Sequence, residues 1–259
     1  MQVWHMSGAG NDFMVVDARG KELDFQNLSK KLCAITGADG FMAVDHSDVA
    51  DFRLHFYNAD GSRGEMCGNG ARCICKFAYD LGIAGENMVV QTDAGLVPGQ
   101  RLSQEQYRVQ LNNPSSLDLR RKEQIAYVEL GDPGVPHAVV EVPGLTYDMR
   151  EALWDRALAL RDDPAFPKGA NVNFFTKLTD RTVRVLTFER GVEDYTLACG
   201  TGSGSVGVVL WAQGVLPDGQ ALQVENPGGI LQVTVTGVAG KVETLLLEGP
   251  AQTLKIYEV

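Results

Sequence analysis

The sequence predicts an α/β fold of the α+β type: two similar, pseudo-symmetric domains of mixed, mainly antiparallel strands around a central helix, facing each other across a cleft. Three observations carry this. The turn Met66-Cys67-Gly68-Asn69-Gly70-Ala71-Arg72-Cys73 has a counterpart half a chain later, Ala198-Cys199-Gly200-Thr201-Gly202-Ser203-Gly204-Ser205, and each opens a helical run. Both halves repeat the order helix, strand, polar turn, Cys-Gly-x-Gly, helix, a weak internal repeat. The many short strands separated by turns favour mixed sheets over a doubly wound parallel one.

With 259 residues, 44% of them hydrophobic and 22% charged, the chain has the length and composition for one large or two ordinary globular domains. The net charge of -10 argues against a nucleic-acid surface. No run approaches a membrane span, and the first eight residues have neither the basic nor the apolar part of a secretory signal. Five cysteines without small-domain disulfide spacing fit a reducing compartment, so the expected location is the cytoplasm.

In chain order, Ser7 to Asp12 reads as a Gly-rich loop entering a buried strand at 13–17, with Asn11 either a turn residue or a ligand contact. Asp24 caps a helix whose apolar residues Phe25, Leu28, Leu32 and Ile35 keep helical spacing, with Cys33 a core residue, until Gly37 ends it. Strands follow at 41–45 and 51–58, then the turn Asn58-Ala59-Asp60-Gly61-Ser62. The Cys67 turn starts a helix that stops at Gly82. Strands at 88–92 and 107–112 lead to the polar run 112–116, the best linker candidate. The domains are therefore expected at 1–114, completed by 250–259, and at 115–249.

The second half gives strands at 125–130 and 137–142, joined through Gly134-Val135-Pro136-His137. A helix is expected over 148–161, ending before Pro164. Strands at 171–175 and 182–188 precede Glu189-Arg190-Gly191. The Cys199 turn and a helix to about 213 come next, and short strands with Gly-rich turns finish the chain.

The chemistry follows from the paired turns. Unpaired N–H groups at a helix start carry partial positive charge and can hold an anion. The same field lowers a thiol from its usual pKa of about 8.5. Two such thiols on opposite sides of a carbon acid could take a proton from one face and return one to the other, inverting the centre. Helix N-termini would stabilise the carboxylate on which charge builds up, without a cofactor. Cys73 and Cys75 read as packing residues, and the absence of a Cys-x-x-Cys pair argues against zinc. Two rivals stand beside this reading. Gly202, Gly204 and Gly207 match the Gly-x-Gly-x-x-Gly dinucleotide fingerprint, with Glu225 where a ribose ligand belongs. Alternatively, His137 could activate one cysteine as a nucleophile.

Taken together, Gly8–Phe13, Asn58–Ser62, Met66–Cys73, Pro136-His137, Asn171-Val172-Asn173, Glu189-Arg190-Gly191 and Ala198–Gly202 resemble diaminopimelate epimerase, among the cofactor-independent amino-acid racemases. The resemblance spans nearly the whole chain. It implies an active site in the cleft, with Cys67 and Cys199 as base and acid exchanging roles with reaction direction. It also implies that Gly68, Asn69, Gly200 and Thr201 hold the reacting carboxylate. Asn11, Asn58, Asn171, Glu189 and Arg190 would hold the far amino-acid end, and His137 and Glu189 would assist ionisation of the thiols. An Arg190 guanidinium suits a distal carboxylate. The expected activity is interconversion of LL- and meso-diaminopimelate, in lysine and peptidoglycan synthesis. No cofactor or metal is expected, the only partner is the small-molecule amino acid, and a homodimer is usual in the family. Val135 stands where the family commonly has Asn, Gly40 where some members have Gln, and Ser203 and Ser205 where Ala is more usual. These differences leave a racemase of another amino acid, such as histidine, as the alternative.

Overall fold

The computed structural model describes residues 1–64 and 67–259; Met66, the first residue of the first cysteine turn, lies outside the described residues. The chain divides into two compact units, one of residues 1–110 and 248–259 and the other of residues 111–247.

The first unit contains β1 (Gln2–Gly8), β2 (Asn11–Asp17), α1 (Phe25–Thr36), β3 (Gly40–Asp45), β4 (Phe52–Asn58), β5 (Arg63–Gly64), α2 (Gly68–Asp80), β6 (Asn87–Thr92), β7 (Gly95–Arg101) and β8 (Gln106–Leu111). β1 and β2 form an antiparallel hairpin, and β2 pairs parallel with β3 across the α1 crossover. β3 and β4 are antiparallel, β4 pairs parallel with β6 across α2, and β6–β7–β8 is an antiparallel meander.

The second unit repeats this plan with β9 (Pro114–Lys122), β10 (Ile125–Leu130), β11 (Val135–Glu141), a 3-10 turn (Tyr147–Arg150), α3 (Trp154–Arg161), β12 (Asn171–Thr179), β13 (Thr182–Glu189), β14 (Asp194–Tyr195), α4 (Gly200–Ala212), β15 (Ala221–Asn226), β16 (Gly229–Val238) and β17 (Lys241–Pro250). β10–β11 is the hairpin, β11–β12 the parallel pair, β12–β13 antiparallel, β13–β15 the second parallel pair and β15–β16 antiparallel. The last strand, β18 (Gln252–Glu258), pairs with β1 as β9 pairs with β10.

In each unit one helix runs inside the strands. α2 packs on β1, β2, β3 and β7, and α4 on β10, β11, β12 and β16. This explains why Gly-Thr-Gly-Ser-Gly-Ser-Val-Gly-Val-Val-Leu-Trp-Ala forms a helix despite its glycines. It is apolar nearly all round, and packing against strands replaces the amphipathic stripe of a surface helix. α1 lies on the other side of its strands, where Leu32 and Cys33 meet Val3, Met14, Val16, Phe41 and Ala43. With both faces covered, β3 reads as the continuous run Phe-Met-Ala-Val rather than an alternation. The second unit's core joins Ala157 and Leu160 of α3 to Val140, Val172, Phe174 and Leu186.

Several local expectations change. Ser7 to Asp12 is not an open loop but a tight hairpin, with Ala9 at φ 56° and Gly10 at φ 93° as its two corner residues. β1 escaped notice because its residues alternate only weakly. The run 112–116 is not an open linker, since Pro114 begins β9, the position where a strand tolerates proline. The helix expected over 148–161 is split where Trp154 N–H bonds Glu151 O, three residues back instead of four. The α1 caps are as expected, with the Asp24 carboxylate accepting from Asn27 N–H at 3.1 Å and Gly37 at φ 74°. Among the described residues no helix is long and apolar enough to cross a membrane.

The helix–strand fit of α4 is testable at Gly207, where an added Cβ would stand 2.5 Å from Val233 Cγ1. Gly207→Ala gains intrinsic helix propensity yet overpacks this contact, and should destabilise the protein by about 1–3 kcal/mol. A thermal melt of the variant at or above the parent's midpoint would show that the contact relaxes freely.

Candidate active-site turns

In the first unit Cys67 is the residue before α2, with extended backbone (φ -121°, ψ 122°), and its carbonyl accepts the first helical bond from Ala71 N–H at 2.7 Å. Gly68, Asn69 and Gly70 form a buried first turn, while Cys67 itself is half-buried. The β1–β2 hairpin presses on this turn, since a Cβ on Gly8 would lie 2.8 Å from Asn69 O. The Asn69 amide donates to Asn11 Oδ1 at 2.6 Å, and the Asn11 amide donates to Asp39 Oδ2 at 3.1 Å. Asp39 also accepts from Asp12 N–H at 3.0 Å, so Asn11 and Asn69 are held by one chain of bonds. Asn58 is exposed at the end of β4, its amide on Ser62 Oγ at 2.9 Å, in register with Gly40. Gly40 has a steric reason: a Cβ there would be 2.7 Å from Phe56 Cε2, so a glutamine would need that ring to move.

In the second unit Cys199 takes the matching place before α4 (φ -111°, ψ 112°), and its sulfur accepts from Gly202 N–H at 3.3 Å. Thr201 Oγ1 lies 3.5 Å from the same sulfur. The thiol is only 5% exposed. Burial pushes it well above the ordinary thiol range, and the neighbouring Glu189 carboxylate pushes the same way, outweighing Thr201 and the Gly202 amide. For Cys199 the expectation of a lowered pKa is therefore reversed, because a helix-end amide does not offset desolvation plus a carboxylate.

The other expected residues of this unit lie on or beside adjacent strands. His137 on β11 is the register partner of Asn171 on β12. The Asn171 amide donates to Pro136 O at 3.0 Å and its oxygen accepts Arg190 N–H at 2.9 Å, tying two of the expected residues together. The exposed Arg190 guanidinium rests on the Lys168 carbonyl. His137 is fully buried, and burial, aided by Arg190, lowers it to about 3. It is neutral at ordinary pH and cannot ionise a thiol through positive charge. Its Nδ1 meets the Asn173 amide at 3.2 Å, which places the ring proton on Nε2, a buried atom with no partner among the described residues.

Asn173 was quoted in the sequence motif but given no role. It also accepts from Thr187 Oγ1 at 3.0 Å, and its Oδ1 sits 2.2 Å from where a Gly202 Cβ would be. Strand period two puts Asn173 on the face of Asn171, the signal that could have found it. Cys73 and Cys75 are fully buried and pushed up to about 12, as packing thiols should be. The three glycines of the dinucleotide fingerprint lie inside α4, with space taken by Asn173, Leu111 and Val233, and Glu225 is paired with Arg184 at 3.2 Å. These glycines therefore serve close packing within the helix and do not form a turn between strand and helix. No cluster of three metal-ligating side chains occurs among the described residues.

Comparison with known proteins adds an independent line. A family model described as diaminopimelate epimerase matches residues 3–116 and 131–254. Relatives of that name include one from Aquifex aeolicus, 33% identical over 93% of this chain and 96% of its own length. One from Hydrogenobaculum is 33% identical over 100% and 97%, and one from Methanothrix thermoacetophila 35% identical over 96% and 92%. Among solved structures, a Bacillus anthracis phenazine biosynthesis protein of the PhzF family superposes with TM-score 0.75 at 19% identity, covering 100% of this chain and 98% of its own. A probable proline racemase from Agrobacterium radiobacter gives 0.72 at 18%, covering 100% and 92%. These two share the fold. On the family model and the relatives, the chain belongs to the diaminopimelate epimerase family.

Proposed function

We propose that this chain interconverts LL- and meso-2,6-diaminopimelate by proton transfer at the α-carbon between Cys67 and Cys199. The observation that carries the reading is a cysteine at the N-terminus of the central helix in both units, at the same step of a repeated topology. A thiolate at one turn removes the α-proton, charge spreads onto the adjacent carboxylate, and the thiol of the other turn delivers its proton to the opposite face. One C–H bond breaks, another forms, and the two sulfurs exchange protonation states.

The amides of Gly68, Asn69, Gly200 and Thr201 would receive the reacting carboxylate, the place where helix N-termini stabilise developing charge. Asn11, Asn58, Asn171, Glu189 and Arg190 would bind the distal end. Cys199, held protonated by burial and Glu189, starts as the proton donor. When the reaction runs the other way, Cys199 must be the thiolate and Cys67 the thiol: Glu189 would assist the ionisation of Cys199 while Cys67 takes up a proton from solvent. Neutral His137 contributes a hydrogen-bond donor at Nε2. On this reading no pyridoxal phosphate, metal or nucleotide takes part, and the product serves lysine and peptidoglycan synthesis. A cytoplasmic homodimer goes with it.

The direct test is proton NMR of reduced protein in D₂O with LL-diaminopimelate, beside histidine, glutamate and proline. Exchange with inversion is expected for diaminopimelate alone. Exchange confined to another amino acid would keep the chemistry and reassign the substrate, with Val135 as the first departure to examine, and exchange with none would remove the function. Cys67→Ala and Cys199→Ala should each abolish turnover with the circular dichroism spectrum unchanged; substantial epimerisation by either would refute the two-thiol scheme.

His137 also predicts a pH dependence of stability. The unfolded imidazole binds a proton below about 6.5, whereas the folded one resists to about 3. Its contribution is thus complete above the unfolded value and is lost as pH falls from there toward the folded one, by up to about 1.4 kcal/mol per pH unit. Denaturant titrations of His137→Gln should lose this slope relative to the parent; parallel curves would place His137 in contact with water or a counter-charge.

A further inference from the structure

Arg72, in the second turn of α2, is fully buried. Among the described residues its guanidinium bonds three neutral oxygens: Asn69 Oδ1 at 2.9 Å, Gly68 O at 3.3 Å and Pro250 O at 3.4 Å. Two of these belong to the turn that follows Cys67. The fork thus ties together the carbonyl next to the cysteine, the Asn69–Asn11–Asp39 chain and the Pro250 backbone. A guanidinium buried against carbonyls alone is costly unless a negative charge is near. Among the described residues no carboxylate lies within ion-pair distance of it. Burial lowers Arg72 to about 10, and the groups that favour its cation are Cys73, Cys67 and Cys75.

The surroundings decide which of these sulfurs can carry the charge. Cys73 and Cys75 are wholly buried thiols, protonated at any physiological pH. Lys76 on the same helix is paired with Asp80 at 2.8 Å, and Asp12 on β2 with His5 on β1 at 3.0 Å. Among the described residues, half-buried Cys67 remains. In the second unit the position matching Arg72 is Gly204, whose space is filled by Leu111 and Leu245, and the charge beside Cys199 is that of Glu189.

We propose that Arg72 is a positioning residue of the Cys67 turn: its guanidinium is the counter-charge of a Cys67 thiolate and, through Gly68 and Asn69, braces the first-turn amides that meet a carboxylate. The two turns are then inequivalent at rest, Cys67 as thiolate and Cys199 as thiol. This rests on the two-thiol reading, but thiol titration needs no turnover, so the two can fail separately.

The test is iodoacetamide alkylation of each cysteine against pH, followed by peptide mass spectrometry on the whole protein. In the parent, Cys67 should reach half-maximal rate below the free-thiol value of about 8.5 and below Cys199. Arg72→Met keeps the bulk without the charge, and should raise the Cys67 midpoint by a pH unit or more, an approximately tenfold slower reaction near neutrality. Arg72→Lys keeps the charge without the fork. It should leave that midpoint nearly unchanged while raising KM for diaminopimelate more than it lowers kcat. A folded Arg72→Met protein with an unshifted midpoint would overturn the proposal. Should that variant not fold, the parent's order decides, because Cys67 titrating at or above Cys199 overturns it equally.

Discussion

The structure depends on burying the N-terminus of a helix inside each unit. The first amides of α2 and α4 have no partner within their own helix, and strands surround both helices, so the orphan donors need protein atoms or an anionic ligand. At Cys199 the sulfur itself takes one of them, from Gly202. A serine or aspartate at this position would cap more strongly, but neither offers a group that can both hold and release a proton near neutral pH. In the proposed scheme the cysteine trades capping strength for chemistry.

Holding such a turn in place takes different side chains in the two units. In the first, the hairpin with Ala9 and Gly10 at its corner brings Asn11 under Asn69, and Gly8 lets the backbones approach. In the second, Asn173 supplies the brace from β12, contacting His137, Thr187 and the space above Gly202. The repeated element is the backbone plan, and each side-chain network is local to its unit.

This division governs what could be read from the sequence. The two cysteine turns, the α1 caps and the buried runs of β2 and β3 were legible because glycine, capping residues and apolar periodicity act over a few neighbouring positions. The hairpin at 7–12 reads as a loop in the sequence because a glycine-rich stretch looks the same whether or not two strands zip beside it. The state of Cys199 was misread for a different reason. The helix-end field is local and visible in the motif, whereas desolvation and the Glu189 carboxylate arise only on folding. Arg72 was likewise invisible as a functional group. A lone arginine in an apolar helical run is a signal, but only the structure shows the guanidinium turned back onto Gly68 and Asn69.

The same folding-dependent terms give a reason for two unlike environments around two like turns. Equal turns would give both sulfurs the same affinity for a proton, so the resting protein would be divided among doubly protonated, singly protonated and doubly ionised forms. In the proposed two-thiol scheme only the singly protonated form can both take and give. A buried cation behind one turn and a carboxylate beside the other separate the two affinities and widen the pH range over which that form dominates. On the proposed two-thiol scheme the separation cannot grow without limit, since the reverse reaction requires Cys199 to give up its proton as Cys67 gains one, and half-buried Glu189 would be the group that assists this ionisation. On this proposal Arg72 and Glu189 would act as opposing settings of one equilibrium, each within its own unit and each working through a cysteine that the sequence presents as identical.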